Sequence, residues 1–253
     1  MNAVEKALEI LIAFQSDHPT WGVRELSAHL GFSPATVQRI LQSLKGYGFV
    51  QQDQATRHYR LGHVYFNFLH TLQSAFPVKR SATPHMQRLL SQTRETVHLN
   101  VIDGHERICI DTLESFQPLK ASMPVGSRSP LHAGASSKCL LAYSSRTFLD
   151  TYLQRAKLKA LTDSTITEKT KLETEIQHIR STGYALSLEE RNPGIGSISA
   201  PVFDHKGLLV GAISLAIPEI RFRDAEHRSF CLTGILKATA DLSRELGYRA
   251  QGR

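Results

Sequence analysis

Apolar side chains recur at helical spacing near the start of the chain. Val4, Ala7, Leu8, Leu11 and Ile12 predict one amphipathic helix that stops before His18-Pro19. Val23, Leu26 and Leu30 predict a second, from about Val23 to Leu30, and Gly31 is the residue type that ends a helix in a left-handed conformation. Ser33 brings a side-chain oxygen suited to an N-cap, and Pro34 is tolerated at the first helical position, where its missing N–H would be unbonded anyway. A third helix is therefore expected from Pro34. Its inward stripe is Val37, Ile40, Leu41 and Leu44, which leaves Ala35, Thr36, Gln38, Arg39, Gln42 and Lys45 on the other faces. Beyond Gly46 and Gly48, the run Phe49-Val50-Gln51, a polar tip Asp53-Gln54-Ala55-Thr56, and Arg57 to Leu61 predict a two-stranded hairpin. Helix, helix-turn-helix and hairpin in that order predict a winged helix.

An amphipathic stretch from about Gly62 to Ala75 leads to Pro77 and predicts an interdomain helix. After it, Met86, Leu89 and Leu90 mark a helix. Thr96 to Ile102 and Arg107 to Leu113 are expected strands joined through Asp103-Gly104, a strong hairpin pair. A strand from Leu119 to Met123, a loop from Pro124 to Leu131 and a helix from Ala135 to Tyr143 follow. Strands at Tyr184 to Leu188, Ser197 to Phe203 and Leu208 to Ile217, with turn residues Asp204 and Gly207, precede a last helix from Asp224 to Leu246. Hairpin-linked strands with grouped helices predict an α+β antiparallel-sheet domain. The expected organisation is a winged helix-turn-helix over 1–62, a linker helix over 63–76 and a larger domain over 77–250.

Composition narrows this picture. The chain has 253 residues of which 41% are hydrophobic, enough to fill a core in each of two domains. Glu5, Lys6 and Glu9 interrupt what would have to be a signal-peptide core, and no apolar run is long enough to span a bilayer, so a cytoplasmic protein without membrane contact is expected. Cys109, Cys139 and Cys231 are odd in number and show no CxxC spacing, which argues against a secreted disulfide framework. The net charge of +7 matters chiefly through its placement: residues 1–30 sum to −2 and residues 31–60 to +3. One positive face on a small domain suits a polyanion.

Taken together, Leu26-Ser27 to Leu30-Gly31, Ser33-Pro34-Ala35-Thr36-Val37 with Arg39, Gly48-Phe49-Val50 and Tyr59-Arg60-Leu61-Gly62 resemble the IclR family of bacterial regulators. The resemblance continues through Glu95 to Leu99, Val125-Gly126, Pro130-Leu131-His132-Ala133, Lys138, Gly183-Tyr184 and Ala200-Pro201-Val202-Phe203, and so covers almost the whole chain. It implies a GAF-like effector domain, a homodimer or homotetramer, and control of catabolic or related genes. It also implies a ligand pocket at about Met123, Ala135, Ser136, Ser187, Ser197 and Ser214. Some members carry an acidic residue where Ser187 stands and a serine where Ala216 stands.

The polar face of the third helix also suits simple solvation, but the cap, the stripe and the wing favour DNA contact, because the second helix of such a motif enters the major groove by its N-terminal half. By bidentate matching Arg39 suits guanine, and Gln38 or Gln42 suits adenine. Ser33, Ala35, Thr36 and Lys45 share that surface, while Arg57 and Arg60 on the wing suit phosphate. Singly, Ser197 and Ser214 are as well explained as small residues of a sheet interior; convergent hydroxyls suit a carboxylate or hydroxylated organic molecule.

Catalytic, metal and cofactor signals are weak. His105-Glu106-Arg107-Ile108-Cys109 runs into a strand, which would hold His105 and Cys109 roughly 13 Å apart, too far to share a zinc ion. Gly194-Ile195-Gly196 precedes a strand instead of a helix, and there is no G-x-S-x-G or S-x-x-K. No catalytic residue, metal or cofactor is expected. The leading expectation is a DNA-binding regulator that answers to a small organic, carboxylic effector and binds a pseudo-palindromic double-stranded operator. The alternative is an enzyme or protein-interaction module that uses its winged helix for docking.

Overall fold

The computed structural model describes residues 1–15, 18–75 and 77–249. Two compact units emerge, Met1–Phe76 and Pro77–Arg253. The last residues of the expected linker and of the expected larger domain, Phe76 and Ala250, lie outside the described residues.

In the first unit α1 (Ala3–Ala13) begins with a capping box in which Asn2 and Glu5 exchange side-chain and backbone hydrogen bonds. Helix α2 (Val23–Leu30) ends at Gly31, whose φ of 68° is left-handed. Helix α3 (Pro34–Gly46) starts behind Ser33 with Pro34 in its first turn, as its sequence dictates. Strands β1 (Val50–Gln52) and β2 (Tyr59–Leu61) pair antiparallel, and Trp21 adds a bridge to Tyr59 that widens this small sheet. Helix α4 covers Val64–Ala75. The core closes on Ile10, Leu26, Val37, Leu41, Val50 and Tyr59, all buried.

The inward face of α1 differs from the expected stripe. Val4, Leu8 and Ile12 are exposed, while Ile10, Ala13 and Phe14 are buried. This helix is apolar on two faces, and periodicity cannot decide which of them the neighbouring helices cover.

The second unit opens with α5 (Pro77–Thr93). Next come β3 (Thr96–Asp103), β4 (Glu106–Leu113), β5 (Arg128–Pro130), α6 (Ala135–Tyr143), α7 (Arg146–Arg155), α8 (Lys169–Thr182), β6 (Ala185–Leu188), β7 (Ile195–Phe203), β8 (Leu209–Pro218), the short α9 (Glu219–Phe222) and α10 (Ala225–Glu245). Six strands form one antiparallel sheet in the order β5-β4-β3-β8-β7-β6. Alternation along the strands divides its two faces. Val97, Leu99, Ile198, Ala200, Ile213 and Leu215 form one core with α5 and α10. Ala185 and Ala212 face the other way, into a second core built on α6, α7 and α8.

The expected strand at Leu119 to Met123 is not one. This segment makes no ladder and instead buries Ala121 and Met123 while leaving Leu119 exposed. The edge strand is β5, inside the stretch expected to be loop, and it pairs Arg107 with Ser129. Helices α7 and α8 were not foreseen, although Phe148, Leu149, Tyr152 and Leu153 in one and Leu172, Ile176 and Ile179 in the other recur at helical spacing.

Candidate nucleic-acid interface and ligand pocket

Ser33 and Thr36 organise the start of α3. Ser33 Oγ accepts from the Thr36 backbone N–H at 3.3 Å and lies 2.9 Å from Thr36 Oγ1. Along the helix Ala35, Arg39, Gln42 and Lys45 are exposed, whereas Gln38 is half-buried and its amide donates to the Tyr59 hydroxyl at 3.4 Å. The wing tip is built by Asp53, whose Oδ1 accepts from the backbone of Ala55 and Thr56 and from the Thr56 hydroxyl. Lys45 Nζ donates to Gln52 Oε1 at 3.4 Å, and Gln52 Nε2 donates to the Arg57 carbonyl at 3.2 Å, so the helix and the wing are tied together.

Arg39, Arg57 and Arg60 are exposed, and among the described residues none of them forms a salt bridge. The groove between α3 and the wing also holds Arg24 and His58, which sequence reasoning missed. His58 Nδ1 lies 3.0 Å from the Thr56 carbonyl and its Nε2 lies 3.3 Å from Glu25 Oε2, which also accepts from the Gly22 N–H at 2.9 Å. These contacts hold the start of α2 against the wing. No linear motif announces them.

In the second unit the sheet register assembles a cavity. Ser187, Ser197 and Ala216 occupy one cross-strand row, and His98 stands beside Ser214 in the next. The N-terminal turn of α6 and the segment from Ala121 to Met123 close the space, leaving a cavity of about 70 Å³. All six expected pocket residues, Met123, Ala135, Ser136, Ser187, Ser197 and Ser214, line it. Their engagement differs. Ser197 Oγ accepts from the Ala135 N–H at 3.3 Å; the Ser214 hydroxyl lies 2.9 Å from that of Ser199 and accepts from Asn100 Nδ2 at 3.2 Å, so it serves the sheet as well.

Three further lining residues, His98, Arg107 and Arg191, were not foreseen. Arg107 is fully buried; its Nε donates to Ser129 Oγ at 3.0 Å, and its Nη1 donates to the Ser127 carbonyl at 3.1 Å and to Met123 Sδ at 3.0 Å. Arg191 Nη1 donates to the same sulfur at 2.9 Å. Burial, and then the charge of Arg191, pushes the Arg107 pKa down to about 10, and burial lowers that of Arg191. A guanidinium with a pKa of about 10 stays charged at neutral pH. Burial first, then the charges of Arg107 and Arg191, pushes His98 down to about 4, so its imidazole is neutral there. The available signal was parity: in β4, Arg107 alternates with the buried Cys109 and must point to the same face.

The supposed zinc-like pair does not meet: His105 is exposed and stacks on Phe148, while Cys109 is buried and burial raises its thiol to about 11. Among the described residues no group of three or more His, Cys, Asp or Glu side chains is placed to hold a metal ion.

A capped recognition helix and basic wing on one unit, with a sheet-backed polar cavity on the other, define the class of DNA-binding transcription regulators. The profile of the IclR helix-turn-helix domain matches residues 3–54, and that of the bacterial transcriptional regulator IclR C-terminal matches residues 70–244. The chain belongs to the IclR family. It is 32% identical to the HTH-type transcriptional regulator BhcR of Paracoccus denitrificans, over 98% of this chain and 87% of that protein. With the HTH-type transcriptional regulator XynR of Escherichia coli it shares 29% identity over 99% of each. The crystal structure of Thermotoga maritima IclR superposes with a TM-score of 0.83 at 30% identity, covering 98% of this chain and 100% of that one. An IclR homologue from Microbacterium hydrocarbonoxydans, crystallised with 4-hydroxybenzoate, has the same fold at a TM-score of 0.83 and 19% identity, over 97% of this chain and 99% of that one. Among the described residues no helix is long and apolar enough to cross a membrane.

Proposed function

We propose that this chain is a cytoplasmic, non-enzymatic regulator that binds a pseudo-palindromic operator as a homodimer or homotetramer and releases or grips it according to a small organic acid in its sheet-backed cavity. Residues 1–62 read DNA, residues 63–76 link, and residues 77–250 sense. On α3 the exposed Arg39 and Gln42 contact base edges, with Ala35 and Gln38 beside them; Ser33 and Thr36 shape the helix start, and Lys45, Arg57 and Arg60 grip phosphates. Met123, Ala135, Ser136, Ser187, Ser197 and Ser214 hold the effector.

The observation that carries this reading is the convergence of all six expected pocket residues, with two guanidiniums, on one small cavity. Such a lining suits an organic anion, the chemical class of the 4-hydroxybenzoate held by the Microbacterium homologue. Assembly is supported by apolar side chains left in the open on α4, where Phe66, Phe68, Leu69 and Leu72 are exposed, and on α1, where Val4, Leu8 and Ile12 are. Two half-sites are needed because one winged helix reads too few bases to find one site in a genome.

The test is selection of random-sequence duplexes by the full-length protein. Enrichment of a pseudo-palindrome with half-sites about one helical turn apart, or a multiple of that, is expected. A recovered pool no different from the starting pool contradicts sequence-specific reading.

A further inference from the structure

Arg107 and Arg191 donate to one atom. Arg107 Nη1 lies 3.0 Å from Met123 Sδ and Arg191 Nη1 lies 2.9 Å from it, so two cations spend donors on a thioether, which is a weak acceptor. Among the described residues neither guanidinium has a carboxylate within salt-bridge distance, and the acids of neighbouring segments are committed elsewhere. Glu190 pairs with Lys138, Glu114 with Lys120, and Glu106 with Arg128. Arg107 is fully buried, and its Nη2 has no hydrogen-bond partner there. Like charges held together inside a protein without a counter-charge are costly.

The rest of the cavity offers an incoming charge much less. The two N–H groups that open α6 are taken, that of Gly134 by Glu190 Oε2 at 3.0 Å and that of Ala135 by Ser197 Oγ at 3.3 Å. The Ser214 hydroxyl is likewise engaged, with Ser199 and Asn100. Ala121, Ala133, Ile195 and Ala216 bring small or apolar surface. The cavity therefore has one cationic corner, at the Met123 sulfur, and a neutral remainder.

We propose that Arg107 and Arg191 are the residues that select the effector by its charge, with the single carboxylate of a two- or three-carbon monoacid taking the place that the Met123 sulfur holds between them. The proposal rests on reading this cavity as the effector site. Donors that reach a common atom are close enough for one carboxylate to accept from both, the charge-assisted geometry that arginine favours. Met123 stays in the wall of the cavity, and its sulfur is the acceptor that the acid displaces. Size sets the upper limit: about 70 Å³ holds on the order of five water-sized groups, so a carboxylate leaves room for about two further non-hydrogen atoms. The neutral lining suits a short carbon chain or one hydroxyl. It gives little to the remaining oxygens of a tetrahedral oxyanion such as phosphate, which would be buried against apolar side chains.

The experiment is isothermal titration calorimetry of the full-length protein with acetate, glycolate and propionate, with the amide of each as an uncharged match, and with inorganic phosphate and 4-hydroxybenzoate. The best small acid should bind at least about tenfold more tightly than its own amide. Arg191→Gln should lower that affinity about tenfold or more, with circular dichroism confirming the fold, and Arg191→Lys should recover part of the loss. Met123→Leu removes the competing acceptor and keeps an apolar side chain, so it should tighten binding of the acid about three- to tenfold, the worth of one modest hydrogen bond. This variant decides should Arg191→Gln fail to fold. Acid affinity unchanged in folded Arg191→Gln, or not raised in Met123→Leu, overturns the arginine pair while leaving an acid effector in the cavity. Equal affinity for an acid and its amide overturns selection by charge. Phosphate or 4-hydroxybenzoate binding as tightly as the best small acid overturns the single small carboxylate. Failure of all these compounds to bind overturns this proposal together with the effector reading of the cavity.

Discussion

Lys138 Nζ lies 2.6 Å from Glu190 Oε1, with both side chains buried, and the other oxygen of that carboxylate accepts the Gly134 N–H at 3.0 Å. Glu175, 2.7 Å from the same ammonium, completes the group. A buried lysine on α6 thus fixes, through Glu190, the backbone from which the first turn of its own helix starts. Lys138→Met removes the cation and strands two carboxylates, a loss of about 3–5 kcal/mol by the behaviour of broken buried ion pairs. Urea unfolding should record that loss, and titration with a pocket ligand should show weaker binding because the α6 turn has loosened. Unchanged stability would mean that Glu190 is satisfied without Lys138.

In the DNA-reading unit the decisive packing is backbone on backbone. A Cβ at residue 62 would lie 1.9 Å from the Gly48 carbonyl oxygen, and no flexible side chain is there to give way. Gly62→Ala should therefore displace β2 from the end of α3 and cost about 3 kcal/mol or more, at or beyond the upper end of ordinary overpacking. Thermal unfolding followed by tryptophan fluorescence is a direct readout, since Trp21 is bridged to Tyr59 in the affected sheet. A variant that melts like wild type would show that the close approach relaxes without consequence.

Arg39 is exposed on α3 with its guanidinium free for a base edge. Arg39→Ala should leave the circular dichroism spectrum unchanged and lower discrimination between a selected duplex and a scrambled one by about 1–3 kcal/mol per half-site. Arg60→Ala, by contrast, should weaken both duplexes alike and reduce the slope of log affinity against log salt by about one per protomer. Preserved discrimination in Arg39→Ala would remove that residue from base reading.

A pH dependence follows from His58. Its hydrogen bond to the Thr56 carbonyl is the largest influence and raises its pKa above the ordinary 6.5; desolvation opposes this, and the bond to Glu25 with the charges of Glu25 and Asp53 adds to the rise. The protonated form is the one the fold favours, so its contribution to the clasp between α2 and the wing is complete below 6.5 and is lost as pH rises through the raised value. DNA affinity should decline over that window, and His58→Gln should flatten the profile. Identical profiles for the two proteins would show that the clasp does not matter to DNA binding.

Much of this architecture was legible in the residues because local rules and tertiary packing agree there. Ser33-Pro34 places the start of α3 and Gly31 the end of α2, and the β3–β4 hairpin forms where expected, although its two-residue turn is Gly104-His105 and Asp103 still pairs with Glu106 in the ladder. The failures have physical causes too. The stripe on α1 was ambiguous because that helix is apolar on two sides. Leu119 to Met123 alternates like a strand, yet two of its alternate residues are buried as a wall of the cavity, not as part of a ladder. Serines and Met123 entered the pocket through family likeness, whereas Arg107 and Arg191 lie far apart in sequence on elements that carry no motif. Only the register of β4 against β5 and the turn after β6 brings them to one sulfur.

The measurement closest to the central claim is a fluorescence-anisotropy titration of a selected duplex with the full-length protein, with and without a saturating acid that calorimetry has shown to fill the cavity. A regulator whose pocket and DNA surface are coupled should show a shift in duplex affinity of about 5- to 150-fold, and the duplex should change the affinity for the acid by the same factor. Duplex affinity identical in the presence and absence of the bound acid would contradict the account, since a ligand that binds both states equally shifts neither.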